Sequence, residues 1–143
     1  CLNIYEQKIK NFGFKYVKTF SNGIECIGSI ENDKPDLVFL DYDLEDMKGI
    51  DILKILKKEL PNTYVIMLSG QDNIYVAIEA VKNGAFEYIV KNDQDMEKIT
   101  NVLNKISRVK NTLQKLEKWL VQNINNDTVI NSNWIRSNTF TLI

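Results

Sequence analysis

Apolar positions recur along this chain at two alternating periods. Leu2, Tyr5, Ile9 and Phe12 lie three and four apart, one face of a helix, and Gly13 follows as a C-cap glycine would. Residues 14–20 alternate aromatic and β-branched side chains with Lys15 and Lys18, which predicts an outer strand. Asn22-Gly23 turns the chain, Ile24, Ile27 and Ile30 give a short helix, and Pro35 marks a loop. Leu37-Val38-Phe39-Leu40 is then an unbroken apolar run, a strand buried on both faces, and it stops at Asp41. Beyond it the spacing predicts a helix near 48–60, a strand at 64–68, a helix near 73–83 ending before Gly84, and a strand at 86–90. Short apolar strands alternating with amphipathic helices imply an α/β fold, a parallel sheet with helices on both faces.

From Met96 the pattern changes scale. Ile99, Val102, Ile106, Val109, Leu113, Leu116 and Leu120 repeat for three heptads, one helix of about 25 residues and roughly 37 Å. A domain of this size needs about half that length to cover its sheet. The surplus either folds back or projects as a coiled coil, which makes the helix over 96–120 a candidate homodimer contact. Residues 122–143 hold six asparagines and no period, and read as a flexible tail. The expected division is a domain over residues 1–115, then a helix extension and tail over 116–143.

Composition narrows the function more than the fold. Net charge is −1, with both signs mixed, so no basic field is present for nucleic acid. No apolar run approaches the ~20 residues that span a bilayer. Cys1 and Cys26 are too few for a disulfide framework, which points to a reducing, cytoplasmic compartment. A mature lipoprotein would also begin at a cysteine; the plainer expectation is a chain whose natural start lies upstream of Cys1. The absence of histidine removes a Ser-His-Asp triad and a histidine metal cluster together.

Three strands end in chemically useful residues. Asp41 and Asp43 follow the first, Ser69-Gly70 the second, and Lys91 the third. Strand carboxyl ends line the ligand crevice of open α/β sheets. Alone, each residue has a plain explanation: a helix cap, a turn, a solvated lysine. Together they fit phosphoryl transfer to a carboxylate. Asp41 attacks phosphorus, Mg²⁺ neutralises the oxygens, and the Lys91 ammonium and Ser69 hydroxyl hold the phosphoryl group.

These motifs, Leu40-Asp41-Tyr42-Asp43-Leu44 with Gly49, Leu68-Ser69-Gly70, and Tyr88-Ile89-Val90-Lys91, resemble those of a response-regulator receiver domain of two-component signalling. The resemblance covers about residues 2–115. It implies a flavodoxin-like, doubly wound sheet in the order 2-1-3-4-5 and a phosphorylation switch rather than an enzyme. Asp41 takes the phosphoacceptor's place, Asp43 offers its backbone carbonyl to Mg²⁺, and Lys91 is the phosphate-binding lysine. Ser69 and Tyr88 are the switch pair. A sensor histidine kinase and a downstream protein effector are the implied partners, with phosphorylation remodelling the surface around the helix near 73–83, the last strand and the final helix.

The chain also departs from the pattern. It opens on the first helix, so the strand that brings an acidic pair to the metal is not in it, and the sheet's central position needs an occupant. Either the domain is incomplete at its N-terminus, or residues 138–143, which have β character but no acid, supply a substitute strand. The second case is a pseudo-receiver that works as an interaction module without phosphotransfer. Glu45 and Asn92 stand where the family commonly has prolines, the latter a cis-proline. Asp41-Tyr42-Asp43 also resembles the first motif of haloacid-dehalogenase-type phosphatases, but Glu45 stands where that motif wants Thr or Val.

Overall fold

The computed structural model describes residues 2–14, 16–123 and 139–142. Helices and strands alternate as α1 (Leu2–Asn11), β1 (Tyr16–Thr19), α2 (Gly23–Asp33), β2 (Leu37–Asp41), α3 (Gly49–Glu59), β3 (Tyr64–Ser69), α4 (Ile74–Lys82), β4 (Glu87–Val90), α5 (Asp95–Asn123) and β5 (Thr139–Leu142). Local chemistry sets their ends. Gly13, at φ +94°, closes α1 in a backbone conformation that glycine adopts without strain. The side chains of Asn22 and Asn73 accept N–H groups of Glu25 and Tyr75 at the starts of α2 and α4.

All strand pairs are parallel, in the order β1-β5-β2-β3-β4. Strands β1 to β4 therefore stand where the second to fifth strands of the 2-1-3-4-5 sheet were expected, and β5 stands at the central place of the first. The centre is thus occupied by the substitute strand that the sequence offered as one of two alternatives, and four residues of the expected tail enter the sheet. Thr139–Leu142 pairs with Tyr16–Thr19 on one side, and Phe140–Leu142 pairs with Leu37–Phe39 on the other. The cause is the neighbour: Leu37 to Leu40 are at most 1% exposed, and unpaired backbone in such surroundings is costly. The asparagine-rich stretch 124–138 lies outside the described residues.

Alternation along the strands sends side chains to two cores. Leu37, Phe39, Ile66 and Leu68 meet Ile9 of α1 and Ile99, Val102, Leu103 and Ile106 of α5. Val38, Leu40, Val65 and Met67 meet Cys26 and Ile30 of α2, Ile52, Leu53 and Leu56 of α3, and Ala80 of α4. Helix α5 runs for 29 residues. Its Lys110 lies 3.7 Å from Asp36, which immediately precedes β2, so the helix has reached the base of the sheet there. The residues onward to Asn123 carry it about 20 Å further, where Leu116, Trp119 and Val121 are at least half exposed.

Candidate functional site

Register brings the predicted residues to one edge. Asp41 is level with Leu68, and Ser69 is level with Val90. The Tyr42 N–H donates to the Leu68 carbonyl at 2.8 Å, and the Lys91 N–H donates to the Ser69 carbonyl at 2.8 Å. Each residue follows a run that must stay in the sheet, so three strand ends fix the spacing of three side chains.

Asp41 and Lys91 meet directly, with Nζ 2.5 Å from Oδ2. The other carboxylate oxygen, Oδ1, accepts the Asp43 N–H at 3.2 Å. Asp41 remains 28% exposed, enough for a small donor to reach it. Ser69 is fully buried, and its Oγ accepts the Gln71 N–H at 3.1 Å. The half-buried Tyr88 donates its hydroxyl to the Gln71 carbonyl at 2.7 Å. Gln71 thus bridges Ser69 and Tyr88, a link that sequence reasoning missed because a glutamine acting through its backbone carries no signal. The Asp43 carboxylate turns outward to Lys48, 3.3 Å away.

Gly49 is needed at its position by contact. A Cβ there would lie 2.3 Å from the Asp41 carbonyl oxygen and 2.8 Å from the Tyr42 Cα. The bare backbone lets α3 start directly against the loop that carries Asp41, and the Gly49 N–H donates to the Tyr42 carbonyl at 2.8 Å.

Two further acids near this edge were not singled out in the sequence. The Asp46 carboxylate accepts the N–H groups of Gly23 at 3.0 Å and Ile24 at 2.9 Å, and these bonds hold its pKa below the usual value. Asp95 accepts the Tyr5 hydroxyl at 2.6 Å. Burial foremost, then the bond to Asp95 and the charges of Asp95 and Asp41, push Tyr5 up from 10.0 to about 12. A phenol that holds its proton more tightly when folded contributes stability that is complete below pH 10.0 and fades as pH rises to about 12. Replacing Tyr5 by phenylalanine is expected to flatten the alkaline fall in urea stability over that window. An unchanged pH slope in the variant would contradict the assignment.

The donor set falls short of a hard divalent cation. Among the described residues no group of three or more His, Cys, Asp or Glu side chains could hold a metal. Asp41, Asp43, Asp46 and Asp95 are each engaged with a different partner. Asp41 and the Asp43 carbonyl alone leave most of an octahedral oxygen shell to water. The central strand Thr139–Leu142 brings no acid.

Known proteins resemble this chain in sequence and in overall fold. The Response regulator receiver domain profile matches residues 1–104. The chemotaxis protein CheY of Thermotoga maritima is 34% identical over 100 residues, 70% of this chain and 82% of that protein. The regulatory protein LuxO of Vibrio cholerae is 32% identical over 98 residues, and the match spans 66% of this chain but only 22% of LuxO. Among solved structures, a CheY-like receiver domain protein from Methanospirillum hungatei aligns with TM-score 0.63 at 28% identity, covering 75% of this chain and 87% of that one. The receiver domain of a putative LuxO repressor from Vibrio parahaemolyticus aligns with TM-score 0.63 at 23% identity, covering 78% and 87%, and shows the shared fold.

Proposed function

Since the chain belongs to the response-regulator receiver family, a group of regulatory phosphoacceptor domains rather than enzymes of turnover, we propose that it is a phosphorylation-dependent switch with Asp41 as the phosphoacceptor. The observation that carries this reading is the Asp41–Lys91 contact at 2.5 Å, beside a buried Ser69. An Asp41 oxygen forms the new bond to phosphorus as the bond from phosphorus to the donor breaks, and the leaving group takes up a proton from water. The Lys91 ammonium neutralises a phosphoryl oxygen, and the Ser69 hydroxyl donates to another. Drawing Ser69 toward the new group pulls on Gln71, and through it on Tyr88.

Receiver domains generally depend on Mg²⁺. Asp41 and the Asp43 carbonyl are the donors that the described residues of this chain's site offer. The donor in the cell is a sensor histidine kinase, and the chain works in the cytoplasm; no helix among the described residues is long and apolar enough to cross a membrane. The output surface comprises α4, β4 and α5. Ile74, Tyr75, Ile78 and Val81 of α4 are exposed, and a groove of about 310 Å³ between β4 and α5 is lined by Tyr88, Lys98 and Lys105 among others. This surface takes a downstream protein effector. The exposed stripe of Val109, Leu116 and Trp119 suits pairing with a second α5.

Incubation with phosphoramidate and Mg²⁺ should add a single phosphoryl group to the intact mass, and Lys91→Ala should slow the addition roughly a hundredfold. A Lys91→Ala chain that labels at the wild-type rate would sink the assignment. One observation favours a second reading: β5 fills the central place without an acid. On that reading the chain is an interaction module acting through α5, and no donor labels it.

A further inference from the structure

The loop from β4 to α5 carries no proline, so no ring fixes the backbone after Lys91. It is nevertheless tied by its own hydrogen bonds. The Asn92 side-chain oxygen accepts the Gln94 N–H at 2.9 Å, and the Asn92 carbonyl accepts the Asp95 N–H at 3.0 Å. The Gln94 carbonyl accepts the Lys98 N–H at 3.2 Å, joining the loop to the first turn of α5. Its far end is held by another element: the Tyr5 hydroxyl of α1 donates to Asp95 Oδ2 at 2.6 Å across 90 positions of sequence. Its near end is Lys91, whose ammonium lies on Asp41. The segment 91–94 is exposed, and a lysine is a point charge on a flexible stem, so the ammonium's position follows from where the backbone is held.

We propose that Tyr5 and Asp95, with the turn made by Asn92, are positioning residues for Lys91, a hydrogen-bonded strut from α1 that does the work of a rigid loop. The strut touches no reacting atom. It also gives the charge on Asp41 a mechanical route to α1 and to the head of α5, because a shift of Lys91 moves the loop that ends at Asp95. Its role in phosphoryl acceptance rests on the phosphoacceptor reading of Asp41; its hold on the resting ion pair does not.

The test is exchange of the Lys91 ammonium protons with water, followed by ¹⁵N NMR in the full chain. Tyr5→Phe and Asp95→Ala should each speed the exchange about tenfold, and the double variant should be no faster than either single one, since each removes the same bond. Lys110, whose ammonium nitrogen is buried at the opposite end of the sheet, should not change, which separates positioning from general loosening. Unchanged Lys91 exchange in the single variants, or additive effects in the double, would overturn the proposal. Phosphoramidate labelling should slow to a similar extent in all three variants. A wild-type chain that takes no label while Lys91 responds as described would remove the phosphoacceptor reading and leave the strut in place.

Discussion

Gly49→Ala is expected to lower unfolding stability by about 2 kcal/mol or more and to slow phosphoryl acceptance beyond what that loss explains. The added methyl would meet backbone, the Asp41 carbonyl oxygen at 2.3 Å and the Tyr42 Cα at 2.8 Å, and neither can rotate aside. Relief requires α3 to move away from the loop. That breaks the Gly49 N–H bond to the Tyr42 carbonyl and the bridge between Asp43 and Lys48. The same displacement re-aims Asp41 relative to Lys91, and misplacement by about 1 Å can cost a hundredfold in rate. Urea midpoints at constant slope measure the first effect, and phosphoramidate labelling measures the second. A variant matching the wild type in both would show that the loop is not packed as described.

The second large effect belongs to the centre of the sheet. Thr141 is paired with Lys18 on one side and Val38 on the other. Proline there supplies no N–H to the ladder and suits only edges, strand starts and bulges, so Thr141→Pro should cost about 3 kcal/mol or more. Thr139→Pro, at the first residue of β5, should cost far less and serves as the control. Amide exchange of Leu37 to Phe39 reads the same event at the partner strand. If Thr141→Pro leaves both the midpoint and those amides unchanged, another segment holds the central place.

Most of the layer order was legible because each strand is short and apolar and each helix is amphipathic, so local period alone separates them. Residues 64–68 and 37–40 read as strands for that reason and extend only to Ser69 and Asp41 in the structure. The long final helix was legible from its heptads and runs from Asp95 to Asn123. The centre of the sheet was legible only in part. Thr139-Phe140-Thr141-Leu142 has strand character, but what seats it is the long-range demand of β1 and β2 for a partner, which no local pattern encodes.

Asp41, Ser69 and Lys91 stood out since each polar residue ends a buried run. Asp46 on the head of α2 and Tyr5 on Asp95 did not, because single polar residues on an exposed loop and a helix face look the same with or without a distant partner. Asn92 was visible as a departure from the family. Only the structure shows its side chain closing a turn onto Gln94.

The central claim is that Asp41 itself becomes the acyl phosphate. Borohydride reduction of the phosphoramidate-treated chain converts a phosphorylated aspartate to homoserine, which peptide sequencing by mass spectrometry locates. The expected result is homoserine at position 41 alone, absent from Asp41→Asn. Homoserine at Asp43 or Asp46, or none anywhere in a folded wild-type chain, would contradict the account.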